Sequence, residues 1–78
     1  MVDEIRSAVI TIVREEGHVD GELALDADLY YEVGVESTRT ISILVALEER
    51  FGITIDDSEF VKSRSVNSLA DLVRRGRP

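Results

Sequence analysis

Val2, Ile5, Val9, Ile12 and Val13 recur at the spacing that places side chains on one face of an α-helix. Asp3 and Glu4 stand at the positive end of that predicted helix, where the macrodipole favours acids. Gly17 is a natural stop. A second stripe of Ile41, Leu44, Leu47 and Phe51, with Ile43 beside it, predicts a helix over 37–51 that Gly52 ends. Glu48, Glu49 and Arg50 are expected on or near its solvent side. Asp56 can cap a third, short helix, with Glu59 three residues later as in a capping box, and Phe60 and Val61 as its apolar contacts. Ser65 can cap a last helix whose inner face is Val66, Leu69, Leu72 and Val73. Arg74 and Arg75 complement its negative end, and Gly76, Arg77 and Pro78 are expected to fray.

Residues His18 to Glu36 follow neither the helical nor the strand period. This long connection is expected to be a loop pinned to the core by Leu23, Leu25, Leu29 and Val33, with a helical turn over Asp28–Val33. The alternation Ile53-Thr54-Ile55 is too short for a sheet. The prediction is therefore all-α: a small bundle of three main helices and one short helix, with a long loop between the first two. No linker or repeat interrupts the chain, so residues 1–78 are expected to form a single domain.

Composition narrows the function. The 78 residues carry a net charge of −7, which argues against a nucleic-acid partner. From Glu15 to Glu36 there are eight acids and no base, a surface that steers basic partners or simply stays solvated. There is no cysteine, hence no disulfide, thiolate nucleophile or cysteine-based zinc site. No apolar run approaches the roughly 20 residues of a membrane span. The expectation is a soluble, monomeric, cytoplasmic protein.

Enzyme chemistry finds little footing. Ser37 is not in a Gly-x-Ser-x-Gly elbow, since Val35 and Arg39 flank it. The single histidine, His18, has no evident partner. Asp26-Ala27-Asp28 opens like a calcium loop, but Tyr30 and Tyr31 fall where a polar residue and glycine are needed. The loop carboxylates are expected to be solvated, and no metal is expected. Ser37 itself has two readings. It can cap the second helix, a contribution of about 1 kcal/mol. Its hydroxyl, at an electropositive helix start beside an open loop, can instead carry a phosphodiester.

The run Asp28-Leu29-Tyr30-Tyr31-Glu32-Val33-Gly34-Val35-Glu36-Ser37 resembles the phosphopantetheine attachment region of acyl and peptidyl carrier proteins, roughly Leu-x-x-x-Leu-Gly-x-Asp-Ser-Leu. The segment Leu44-Val45-Ala46-Leu47-Glu48-Glu49-Arg50-Phe51-Gly52-Ile53-Thr54-Ile55 resembles that family's second helix and its exit. Ser65-Val66 before a final amphipathic helix also fits, so the likeness covers nearly the whole chain. The resemblance implies that Ser37 bears 4′-phosphopantetheine taken from coenzyme A. The arm's thiol would hold an acyl, aminoacyl or peptidyl group as a thioester, and the protein would itself be no enzyme. It implies a phosphopantetheinyl transferase, a cargo-loading ligase or acyltransferase, and downstream synthase or transferase enzymes as partners. The alternative is a helical interaction module without a prosthetic group, in which Ser37 is only a cap.

By the same resemblance, docking would use Glu36, Thr38, Arg39, Ser42, Val45, Glu48 and Glu49. Val45 is either an exposed contact or ordinary core packing. The chain departs from the family pattern at Glu36 for the usual Asp, Thr38 for the usual Leu, and Arg39 and Ser42 where fatty-acid carriers show acids. Changed charge at a docking rim favours different partners. The departures imply a discrete carrier in a dedicated biosynthetic pathway, making a polyketide, a nonribosomal peptide or a related product. Ile, Val and Leu side chains could line a small apolar cavity between the helices into which a long acyl chain would tuck; the sequence leaves open whether one does.

Overall fold

The computed structural model describes residues 3–76. Four α-helices appear in order: α1 (Glu4–Gly17), α2 (Thr40–Phe51), α3 (Asp57–Lys62) and α4 (Val66–Gly76). A π-helical turn (Leu29–Val33) and a 3₁₀ turn (Ser37–Arg39) lie between α1 and α2. All regular structure among the described residues is helical, and none of these helices is long and apolar enough to cross a membrane. The fold class is the expected all-α bundle. Val2, Arg77 and Pro78 lie outside the described residues.

α1 packs against both α2 and α4, and α3 lies against α4. Val9 and Val13 of α1 meet Ile43 and Leu47 of α2 and Val66, Leu69 and Val73 of α4 in one cluster, all buried to within about one per cent. Each such side chain, fully removed from water, contributes roughly 1.5–3 kcal/mol.

Local chemistry explains the helix ends. The Asp3 carboxylate accepts the Arg6 N–H at 3.1 Å and starts α1. Asp56 accepts the N–H groups of Ser58 and Glu59 and starts α3, with the Ser58 hydroxyl, rather than the Glu59 carboxylate, adding to the cap. Ser65 starts α4: its hydroxyl accepts the Ser68 N–H at 3.2 Å while the Ser65 N–H donates to the Ser68 hydroxyl at 2.9 Å.

Several expectations are corrected. α1 ends at Gly17, but the left-handed turn falls to His18 at φ 54°. Gly17 is instead needed for closeness, since a Cβ there would lie 3.3 Å from a Val35 methyl. Ile41, expected inside, is 65% exposed, while Ile43 is fully buried. At about 100° per residue, Ile43, Leu44, Leu47 and Phe51 bunch on one side of α2 and Ile41 lies about 100° away from them. Val61 is 65% exposed, because the single inward face of the short α3 is taken by Phe60. Gly76 is the last residue of α4, and a Cβ there would sit 3.1 Å from Ile53.

The long loop is tied down more firmly than its apolar residues suggest. Its half-buried Val19, Leu23 and Leu25 pack on the core. The Leu29 N–H donates to the Arg64 carbonyl at 2.7 Å, and the Asn67 N–H donates to the Leu25 carbonyl at 3.0 Å. Three of its acids, Asp26, Asp28 and Glu32, are not merely solvated. Asp26 accepts from the Asn67 side chain at 2.7 Å, and Asp28 pairs with Arg64 at the same distance.

Candidate functional site

Ser37 stands where the irregular loop becomes helix. Upstream, the Asp28 carboxylate accepts the N–H groups of Tyr30 and Tyr31, both at 2.9 Å, and opens the π-helical turn. The Glu32 carboxylate returns the favour by accepting the Asp28 N–H. Gly34 then turns the chain at φ 93°, a region closed to most side chains. The Val35 N–H bonds back to the Leu29 carbonyl at 2.8 Å, and the Val35 side chain is buried against Gly17 and the core. Downstream, the Arg39 N–H donates to the Glu36 carbonyl, and α2 begins one residue later. The result is an exposed ledge of Glu36, Ser37 and Thr38, held by a buried valine on one side and a helix on the other.

The capping role proposed for Ser37 is not taken up. Neither the 3₁₀ turn nor α2 receives a side-chain cap. The Ser37 hydroxyl faces solvent with no hydrogen-bond partner of its own among the described residues. An exposed oxygen on this ledge fits a covalent arm: no hydrogen bond of its own must be broken to substitute it. No cluster of histidine and acidic residues able to hold a metal ion occurs among the described residues.

Beside the hydroxyl lies a groove of about 460 Å³. Val35 and Thr40 line it near Ser37, with Tyr30, Tyr31, Val61 and Arg64 completing its walls. Arg64 organises these walls. Its guanidinium lies 4.7 Å from the centre of the Tyr30 ring and 5.2 Å from that of Tyr31. It also grips Asp28 through two nitrogens, at 2.7 and 3.3 Å. That grip, with the two backbone N–H bonds, holds the Asp28 carboxyl down at about 2. The Thr40 hydroxyl donates to the Tyr30 hydroxyl at 3.4 Å across the groove.

The residues proposed for docking divide into groups. Glu36, Thr38, Ser42 and Glu49 are exposed, and Val45 is 43% exposed on the outer face of α2. Ser42, Val45 and Glu49 share a shallow depression with Ile41. Arg39 is half-buried. Glu48 is set apart: its carboxylate accepts the Ile55 N–H at 2.9 Å, which ties α2 to the strand-like exit after it.

The groove residues Tyr30, Tyr31, Val61 and Arg64 were not singled out by the sequence as a site. The adjacent tyrosines in an otherwise acidic segment were the available signal; their partner Arg64 lies more than thirty positions away.

The chain matches the family described as "Phosphopantetheine attachment site" over residues 7–73, a span that includes the whole ledge and groove. It is 27% identical over 74 residues to an acyl carrier protein of Rickettsia bellii (strain RML369-C), covering 94% of this chain and 86% of that protein. An acyl carrier protein of Rickettsia bellii (strain OSU 85-389) is 28% identical over 74 residues, covering 94% of this chain and 91% of the other.

Proposed function

This chain belongs to the phosphopantetheine-attachment family of carrier proteins, and from that premise we propose that Ser37 is the residue to which the 4′-phosphopantetheine arm is joined. The carrier is not an enzyme; partner enzymes perform the bond-making. When attached, the group supplies a terminal thiol that holds cargo as a thioester. The chain supplies the rigid ledge, the exposed oxygen and the surfaces that partners recognise.

The observation that carries the assignment is the state of the Ser37 hydroxyl. It is exposed, makes no cap, and sits at the mouth of a groove between two rigidly held segments. Having no base hydrogen-bonded to it within the chain, it depends on a phosphopantetheinyl transferase to remove its proton and deliver the arm from coenzyme A. The acidic Glu36 beside it and the helix start behind it give that enzyme a recognisable charge pattern.

The cargo is an acyl group, as the relatives' name suggests, or an aminoacyl or peptidyl group. We place the protein in a dedicated biosynthetic pathway in the cytoplasm, served by a loading ligase or acyltransferase and by downstream synthase or transferase enzymes. Support comes from the rim, where the exposed Thr38 and Ser42 and the half-buried Arg39 present a less acidic and less apolar surface than the family pattern. On the outer face of α2, Ile41 and Val45 supply apolar area in place of the leucine missing at position 38. The whole chain acts as one domain.

Incubation with coenzyme A and a broad-specificity transferase, followed by intact mass and peptide mapping, tests the assignment. The expected result is one added phosphopantetheine, located on Ser37 and absent from Ser37→Ala. An arm found on another residue, or gained equally by Ser37→Ala, overturns it.

A further inference from the structure

We propose, resting on the assignment of Ser37 as the attachment point, that the groove beside it seats the cargo on the outside of the bundle and favours a flat, uncharged acyl group, such as an aryl-acetyl unit, over a linear alkyl chain. Four observations lead there. First, Ser37 is itself one of the groove-lining residues, so an arm joined to it starts at the groove and can fold back to bring its cargo there. At about 460 Å³ the space lies within the range of small-molecule sites, roughly 300–1,000 Å³.

Second, the groove carries apolar area that nothing in the chain covers. Tyr31 is 88% exposed and Val61 65% exposed, on two different elements that both line it. A solitary exposed apolar residue needs no explanation, but two that line one groove beside a tether offer a surface to a ligand.

Third, Arg64 makes the groove a stacking site rather than an anion site. Its charge is compensated by Asp28, which it holds through two nitrogens. Its guanidinium carbon meanwhile lies 4.7 and 5.2 Å from the centres of the Tyr30 and Tyr31 rings. A carboxylate cargo would have to compete with Asp28. A flat, neutral group gains from the exposed Tyr31 ring without disturbing the pair.

Fourth, the interior is filled. Ile43, Leu47 and Leu69 are each buried to within 1% in a single continuous cluster with Val9, Val13 and Val73. A linear chain entering between the helices must displace these side chains, whereas the groove is already open.

The experiment loads Ser37 with acetyl-, hexanoyl- or phenylacetyl-phosphopantetheine from the matching coenzyme A thioesters. Intact mass verifies loading, and backbone amide chemical shifts are then compared. The expected result is that phenylacetyl, and not acetyl, shifts Tyr31, Val61 and Arg64, while Ile43, Leu47 and Leu69 stay in place. Tyr31→Ala, a change at an exposed position that leaves the core intact, should abolish those shifts. Three results overturn the inference: phenylacetyl shifts that match acetyl, shifts that survive Tyr31→Ala, or hexanoyl shifts concentrated at the core residues. Failure of every thioester to load at Ser37 is a different outcome. It overturns the attachment assignment and, with it, the groove's role.

Discussion

The Asp28 carboxylate lies 2.7 Å from the Arg64 guanidinium, a contact that spans 36 positions of the chain. This pair does three things at once. It starts the π-helical turn through Asp28, anchors that turn to the entrance of α4 through Arg64, and orders the tyrosines of the groove. The Arg64 hydrogen bond, then the backbone N–H groups of Tyr31 and Tyr30, lower the Asp28 carboxyl from an ordinary 3.8 to about 2. A carboxyl whose pKa is lowered by folding stabilises the fold above its unfolded pKa, and that contribution fades as pH falls toward the folded value. Asp3 and Asp56, lowered by the bonds they accept at the starts of α1 and α3, act in the same direction. The melting temperature is therefore expected to fall as pH drops from 3.8 towards about 2. Thermal unfolding followed by circular dichroism checks this. Asp28→Asn should melt lower than wild type at neutral pH and show a shallower loss on acidification.

The two serines at helical starts should behave differently. Ser65 caps α4 through a reciprocal pair of bonds with Ser68, whereas Ser37 makes no cap. Ser65→Ala is expected to cost about 1 kcal/mol, a drop of about 4–8 °C in melting temperature for a domain this small. Ser37→Ala should stay within about 0.5 kcal/mol of wild type. Equal losses for the two would mean that the Ser37 hydroxyl has a structural partner after all.

The phase of α2 predicts a contrast between neighbouring isoleucines. Ile43 is fully buried and Ile41 is 65% exposed. Ile43→Ala should cost about 2–5 kcal/mol, a large part of the total expected for 78 residues, roughly 4–12 kcal/mol. Ile41→Ala should move the urea midpoint by no more than about 0.5 kcal/mol equivalent. If Ile41 lies on a partner-docking face as proposed, its loss should appear instead in the rate of arm transfer.

Glu48 and Glu49 resemble each other in sequence and differ in use. The Glu48 carboxylate accepts the Ile55 N–H, while Glu49 is exposed. Glu48→Ala is expected to destabilise by about 1 kcal/mol, the worth of one such bond. Glu49→Ala should leave stability unchanged within about 0.5 kcal/mol. Urea unfolding of both, beside their rates of modification, separates the structural acid from the one available to a partner.

Much of this protein is written locally. The apolar periods of Val9–Val13 and Val66–Val73 and the caps Asp3, Asp56 and Ser65 involve residues within a few positions of one another. Helical geometry alone then determines their faces and ends, so the all-α bundle and the exposed serine before α2 could be read without coordinates. The phase of α2 could not. It begins with a 3₁₀ turn, and the core accepts Ile43 rather than Ile41, because Gly17 and Val35 bring the loop close on that side. The groove lay still further out of sight. Tyr30, Tyr31, Val61 and Arg64 come from the loop, α3 and the entrance to α4, and no short-range period connects them. Local spacing determined where the helices and the serine stand. Contacts between distant parts of the chain, which depend on how the helices pack, decided what surrounds that serine.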